Sequence, residues 1–498
     1  MNDQRDFEVI INSRFPLVAV ETHEETRLTA LLERVANVRN QALFIWTATD
    51  GLRRQNHSDL NAVRGAIPET RELPSCLRHI YATPQNGIYA LLDVHHYLKE
   101  PIVQRLIKST SLEYHKCART IVAVGHKLDL PDDLLRMCAR FEFSLPDANA
   151  IRVLVKEEAR RLFASENMRG KLRGQQEAAD LLVQHLVGLP VEDARRLVRQ
   201  AILDDGAITM TDLQGVLRTK HQLLGSEGVL SMELETTKFS DVAGLVHLKR
   251  WLEQRKAVFL GDAAALGLDA PKGLMLLGVQ GGGKSLAAKA VAGAWGVPLM
   301  RLDFAAVYNK WLGETERNLR DALKNAEAMA PCVLWIDEIE KGIAAGDGDG
   351  GESRRILGTL LTWMAERKSK VFLVATANDI ERLPPELVRK GRLDEIFFVD
   401  LPDAATRAEI FRLHLNKRNQ DAEKFDLDAL ASGADGFSGA EIEQAIVSAL
   451  YESFARKQLL STELVSEELA RTRPLSVVMA EKIAYLRQWA SDRTVLAG

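Results

Sequence analysis

The stretch Gly278-Val-Gln-Gly-Gly-Gly-Lys284-Ser285 constrains this chain more than any other. It follows an apolar run at residues 273–277 and precedes a segment of helical spacing, the strand, turn and helix setting that a phosphate-cradling loop requires. Gly278, Gly281, Gly282 and Gly283, with Gln280 among them, let successive N–H groups turn toward a polyphosphate. The helix that opens at Lys284, Ser285 and Leu286 adds its positive end. Lys284 neutralises terminal phosphates and the Ser285 hydroxyl is a ligand for magnesium, so ATP with Mg2+ is the expected occupant.

Further apolar bursts at 298–302, 332–336, 371–375 and 396–399 predict the remaining strands of a parallel sheet sandwiched by helices. The same rhythm occurs earlier, at 16–20, 42–46, 89–92 and 120–124. Thr120-Ile-Val-Ala-Val-Gly-His-Lys-Leu-Asp-Leu-Pro-Asp-Asp-Leu-Leu-Arg136 parallels Leu373-Val-Ala-Thr-Ala-Asn-Asp-Ile-Glu-Arg-Leu-Pro-Pro-Glu-Leu-Val-Arg389. Each is followed by Leu-Pro-Asp, at 145–147 and 401–403, and the helical segment 188–202 echoes 436–446. Three matching segments in one order point to a duplicated α/β architecture.

At 498 residues the chain exceeds what one hydrophobic core serves, which agrees with two or three domains. The expected division is a first domain at 1–225 (core 1–150, helical lid 151–225) and a linker at 226–238. A second core at 239–404 and a lid with C-terminal helices at 405–498 complete it. With 65 basic and 69 acidic residues the net charge is −4, so no electrostatic footprint of a dedicated nucleic-acid binder exists. The four cysteines, Cys76, Cys117, Cys138 and Cys332, lack CxxC spacing and read as reduced thiols. No basic head with an apolar run opens the chain, and no stretch reaches the ~18 apolar residues of a membrane span, so a cytoplasmic location is expected.

Val333-Leu-Trp-Ile-Asp337-Glu338 places two carboxylates at the end of a buried strand. Beside a phosphate loop, Asp337 is the expected magnesium partner and Glu338 the group that polarises the attacking water. Asn378 ends the next strand, where its amide can orient that water. Arg389 and Arg392 form a cationic turn able to stabilise phosphate charge in a transition state. The glycine and aspartate run at 346–352 lacks the later bidentate glutamate of a calcium loop.

Together these residues resemble an AAA module of the AAA+ superfamily across 239–450. The resemblance implies a P-loop NTPase core with a helical lid, ATP hydrolysis, and a homo-oligomeric ring, usually a hexamer. It implies that Arg389 and Arg392 reach a neighbouring subunit's ATP, that Asp241, Val242, Ala243 and Gly244 pack on adenine, and that His414, Gly439 and Ala440 close over the nucleoside. Lys310, Trp311 and Leu312 resemble a pore loop that grips a threaded polypeptide, which makes a protein the expected client. Lys390 replaces a common proline between the two arginines, and either can be the main finger. The phosphate loop without prolines, 330–338 and 385–398 resemble a narrower subgroup, AAA proteins catalogued as a conserved open reading frame of chloroplasts and cyanobacteria.

The first unit lacks this chemistry. Its first strand continues Glu21-Thr-His-Glu-Glu-Thr26, without glycine turn or lysine, Asp93 stands where the magnesium aspartate is expected, and His95 follows instead of a carboxylate. His79, His95, His96, His115 and His126 show no zinc-like spacing and are expected to be packed or exposed. A degenerate AAA-like domain follows. Three functions compete: a protein remodeller, a nucleic-acid motor or loader, and an ATP-dependent signalling or scaffold switch.

Overall fold

The computed structural model describes residues 2–498 apart from 56–64, 166–172, 175, 206, 226–227, 234–236, 262–266, 308–313, 345–351 and 390. Two compact units form, Met1–Pro146 with Pro190–Glu192, and Asp147–Leu189 with Asp193–Gly498.

The first unit holds strands β1 (Leu17–Glu21), β2 (Ala42–Thr47), β3 (Gly51–Arg54), β4 (Gly87–Leu91), β5 (Arg119–Gly125) and β6 (Cys138–Phe141). They form one sheet in the order β3-β2-β4-β5-β1-β6, parallel except for β3. β4 and β5 are buried along their whole length, because helices cover both faces. One face packs Leu17, Phe44, Trp46, Tyr89 and Ile121, and the other Val18, Val20, Leu43, Ile88 and Val122, the period of two that alternate strand faces impose.

In the second unit, β7 (Arg173–Gly174) and β8 (Ala207–Ile208) make a small parallel pair. The main sheet contains β9 (Leu230–Glu233), β10 (Gly273–Gly278), β11 (Leu299–Leu302), β12 (Cys332–Ile336), β13 (Val371–Ala377), β14 (Glu395–Val399) and β15 (Val495–Leu496). Their order is β15-β14-β10-β13-β12-β11-β9, with β9 antiparallel. Without its two outer strands this is β14-β10-β13-β12-β11, the same path as β6-β1-β5-β4-β2 in the first sheet. The expected α/β architecture is therefore present twice. β3, β9 and β15 are sheet-edge strands that no apolar burst announces.

Helix Lys284–Trp295 shows how the core is made. Its buried side is Ala287, Ala288, Val291, Ala292 and Trp295, and small alanines let the helix lie close on β10 and β12. Gly296 in a left-handed conformation (φ +69) ends it. Trp295 and Phe259 meet Phe372 at centroid distances of 4.6 and 6.0 Å, and each such ring contributes roughly 1.5–3 kcal/mol by leaving water.

Helices Ala148–Ser165, Val191–Asp205 and Met210–Leu223 occur inside the segment expected as the first domain's lid, but 147–189 and 193–225 group with the second unit. The reason is packing. Leu217 and Leu224 share a core with Leu230, Leu319, Leu323 and Met329, and Asn325 donates to the Leu224 carbonyl at 3.2 Å.

The lid of the second unit packs Phe411, Leu415, Leu430, Phe437, Ile442, Ile446, Leu464 and Leu469. Its helices are capped from the sequence. Asp403 accepts from Thr406 N at 2.8 Å ahead of helix Ala404–Lys417, and Ser438 with Glu441 forms a capping box on helix Gly439–Ala455. Helix Ala480–Ser491 then returns to the core through Leu486, Trp489 and Ala490.

Candidate active site

β10 ends where a side chain is impossible. A Cβ on Gly278 would stand 2.0 Å from the Val399 carbonyl oxygen, so this glycine lets β14 approach. The chain then turns through Gly281 (φ +76) and Gly283 (φ +89) into the helix beginning at Lys284. The loop, the ends of β12, β13 and β14, and the lid enclose a cleft of about 1040 Å³. Gln280, Gly281, Gly282, Gly283, Lys284, Ser285 and Leu286 line it, as do Asp337, Glu338 and Asn378, and the lid adds His414, Gly439 and Ala440.

Asp241, Val242 and Ala243 line the cleft as well, whereas Gly244 stands behind them (φ +61), donating its N–H to Glu409 at 3.0 Å. Gly278 also lies behind the wall, its carbonyl accepting from Lys284 Nζ at 3.0 Å. Lys310, Trp311 and Leu312 lie outside the described residues. Arg389 is exposed and Arg392 half-buried, its guanidinium donating to the Glu386 carbonyl, and neither lines the cleft.

The charged centre is tightly connected. Lys284, 6% exposed, donates to the carbonyls of Gly278 and Val279, the latter at 2.7 Å. Burial pulls its pKa down to about 8, against the opposing fields of Glu340, Asp337 and Glu338. Ser285 Oγ lies 3.3 Å from Asp337 Oδ1, a pair of hard oxygens on the cleft wall, and this donor set suits a magnesium ion that keeps several waters. Thr376 Oγ1 donates to the same Asp337 oxygen at 2.5 Å and accepts from Glu338 N at 2.9 Å.

Glu338 occupies a left-handed conformation (φ +47), which costs roughly 1–3 kcal/mol and turns its carboxylate into the cleft. Asn378 Nδ2 donates to Glu338 Oε1 at 2.7 Å, and Lys341 Nζ to Oε2 at 2.5 Å. Behind them Glu340, 2% exposed, accepts the Asn378 backbone N–H at 2.9 Å, and burial raises its pKa. On the lid, burial lowers the pKa of His414 while Glu443, 3.5 Å away, opposes the fall.

Thr376, Glu340, Lys341 and Glu443 were not singled out from sequence. Glu340 carried one signal, a third acidic residue two positions after Glu338, in the first turn of the helix that follows the strand. The others depend on which strand ends become neighbours.

In the first unit the expectation for Asp93 needs correction. Leu91 pairs with Ala123 as Ile336 pairs with Ala375, and Asp93 shares the left-handed conformation of Glu338 (φ +54). By that register Leu92, 8% exposed, stands where the second unit has Asp337. His95, His96 and His126 do gather, with centroids 3.9 Å and 4.3 Å from His95, while His79 contacts Thr83 and His115 the Leu112 carbonyl. Among the described residues no group of three or more His, Cys, Asp or Glu is arranged to hold a metal ion. Among them also, no helix is long and apolar enough to cross a membrane, and all four cysteines are free.

Comparison with known proteins agrees with this geometry. The model of the ATPase family associated with various cellular activities (AAA) matches residues 274–401. Models of the SpoVK-like AAA ATPase N-terminal and second domains match 3–143 and 149–227. The uncharacterized AAA domain-containing protein ycf46 of Guillardia theta is 34% identical over 495 residues, 99% of this chain and 95% of that protein. Its namesake from Trieres chinensis is 33% identical over 489 residues, covering 97% and 96%. The human ATPase family gene 2 protein homolog A is 32% identical over 277 residues, 53% of this chain and 30% of that protein.

Proposed function

This chain belongs to the family of AAA domain-containing proteins that includes ycf46, and from that premise we propose that it is a ring-forming remodeller of protein clients driven by ATP hydrolysis. One observation carries the reading. Lys284, Ser285, Asp337, Glu338 and Asn378 converge on one cleft, while the two arginines suited to transition-state charge stand outside it. A second copy supplying Arg389 or Arg392 completes the site, and a closed ring is the symmetric way to repeat such a head-to-tail contact.

In this scheme the phosphate loop and Lys284 hold the polyphosphate, and Ser285 with Asp337 would hold magnesium, which supplies charge neutralisation when bound. Glu338 accepts a proton from water as its oxygen bonds to the terminal phosphorus and the bond to the bridging oxygen breaks, giving ADP and phosphate. Asn378 aims Glu338 through the 2.7 Å contact. Lys341 holds the other Glu338 oxygen, so activation requires that pair to loosen. The lid contributes His414, Gly439 and Ala440 on the nucleoside side, and its motion carries hydrolysis to the segment of Lys310, Trp311 and Leu312. The first unit, lacking phosphate loop and magnesium carboxylate, serves ring stability, client recognition or regulation.

The test is steady-state hydrolysis alongside oligomer mass with and without ATP, for wild type, Arg389→Ala/Arg392→Ala and Trp311→Ala. The reading expects turnover only in the assembled state, its loss in the arginine variant, and basal turnover without client processing in Trp311→Ala. A fully active monomer would refute the composite site, and stimulation by DNA rather than unfolded protein would favour a nucleic-acid motor.

A further inference from the structure

The cleft has one wall that its phosphate chemistry does not account for. The loop fixes the polyphosphate at one end, so the opposite end, bounded by Val242, Leu245, Ile410 and Leu413, receives the base. Ala497 and Gly498 line the same cleft, although some two hundred residues separate them from the phosphate loop.

Their position is held from three sides. β15 extends the sheet, pairing in parallel with β14 through Val495 with Phe397 and Leu496 with Phe398. Ala497, 1% exposed, donates its N–H to the Phe398 carbonyl at 2.9 Å, and its carbonyl accepts from Leu248 N at 3.0 Å. Leu248 is in the first turn of helix Val246–Leu260, where N–H groups have no partner within the helix, so the tail supplies a cap from a distant segment. A Cβ on Gly498 would lie 2.8 Å from Leu245 N, so the segment lies directly on the backbone that follows Asp241, Val242 and Ala243. Upstream, Arg487 grips Asp400 in a fork, Nε to Oδ2 at 2.8 Å and Nη2 to Oδ1 at 2.9 Å. Asp400 itself lines the cleft at the start of the passage into the lid.

From this arrangement we infer that Ala497 and Gly498, carried into place by β15, are part of the nucleotide site, forming a base-side wall on which the purine ring of ATP packs. Two small residues presenting backbone leave room for the flat face of an aromatic ring. Their bonds to β14 and to helix Val246–Leu260 tie the segment to the backbone that carries Leu245. The inference rests on the reading of this cleft as an ATP site, and it assigns the tail to base affinity rather than to phosphate binding.

Calorimetric titration of the full chain with ATP and, separately, with inorganic tripolyphosphate tests it. Ala497→Pro removes the N–H donated to Phe398, and Gly498→Val drives a side chain into Leu245, with thermal unfolding recorded for both. The expected result is a Kd for ATP raised about tenfold or more in both variants, with the tripolyphosphate Kd within about twofold of wild type. An unchanged ATP Kd in a folded variant overturns the inference, and so does an equal loss of both ligands, which would make the tail a general support of the cleft. Should Ala497→Pro fail to fold, Gly498→Val alone decides. Wild type that binds tripolyphosphate but not ATP, or neither, would sink the ATP reading itself, a result separable from wild-type ATP binding that the tail variants leave intact.

Discussion

Glu340 makes the sharpest demand on the active-site geometry, because it is buried, charged in kind, and does not line the cleft. It holds the machinery through the 2.9 Å bond from the Asn378 backbone N–H, on the same residue whose side-chain amide aims Glu338. A hydrogen bond to a charged acceptor contributes about 1.5–3 kcal/mol, and if that orientation is needed chiefly in the transition state, Glu340→Ala lowers kcat about 10- to 150-fold. The KM for ATP should stay within about threefold, since no nucleotide contact is removed. Glu340 and Asn378 act as one unit, so the Glu340→Ala/Asn378→Ala double variant should lose little more than the worse single one. Glu340→Gln separates positioning from charge, because its carbonyl can still accept the Asn378 N–H. Burial raises the Glu340 pKa, with Asn378 opposing. A carboxyl raised in this way stabilises the fold fully only below its unfolded pKa, and that stabilisation is lost as pH rises through the folded value. The melting temperature of Glu340→Gln relative to wild type should therefore improve as pH rises above the ordinary glutamate range. Full turnover in Glu340→Ala, or strict additivity with Asn378→Ala, would refute the positioning argument.

Glu338→Gln should bind ATP as wild type does and lose at least about 100-fold in turnover, the typical span of a general base, and normal turnover would remove Glu338 from that role. Phosphates favour the protonated Lys284, whose pKa burial pulls down to about 8, so ATP affinity should hold below that pH and weaken by up to about tenfold per unit above it. Calorimetry between pH 7 and 9.5 checks this, with Lys284→Arg giving a flat profile. In the free protein the same lowered pKa works the other way, its stabilisation present at high pH and lost as pH falls through about 8. Mixing Glu338→Gln with Arg389→Ala/Arg392→Ala, each inactive alone, should restore partial hydrolysis if the arginines act between copies, and no rescue at any ratio would place them in a structural role.

What could be read from sequence follows from how local each feature is. The phosphate loop, the strand before it and Asp337-Glu338 are contiguous strings whose chemistry depends on neighbours in the chain, and residues 280–286 line one cleft with Asp337 and Glu338. Asn378 was legible because it ends a strand of recognisable apolar run, but Thr376, two residues earlier on that strand, looks like an ordinary β-former until β12 lies beside it. Glu340 needs knowledge that helix Ile339–Ala344 turns back beneath the Asn378 loop. The placement of Asp93 failed by one residue, since nothing in a string of leucines marks where a strand ends and a left-handed residue begins. β15 was the least legible of all, as two residues, Val495 and Leu496, acquire strand character only from the open edge of β14.

The comparison of the two sheets argues that the first was stripped of its chemistry rather than never suited to it. Strand order is the same, and the left-handed residue after the fourth-named strand recurs as Asp93 and Glu338. Yet each position that ATP needs is blocked by a different physical means. A buried Leu92 stands where Asp337 would offer an oxygen. At the end of β1, Glu21 turns back to accept Leu128 N at 2.9 Å, and the helix Glu25–Val38 begins with Glu24 and Glu25 at the positive end that an anion would seek. Glu24 is further neutralised by Arg27 at 2.8 Å, which holds it in place. His95 packs so closely on Gly125 that a Cβ there would lie 2.6 Å from its ring nitrogen, filling the corner where Glu340 supports Asn378 in the other sheet. Restoring one residue cannot recover nucleotide binding against three independent obstacles. A variant carrying Glu24→Gly, Glu25→Lys and Leu92→Asp together should still show no measurable ATP affinity in its first unit, and titration in a Lys284→Ala background would expose any that appeared.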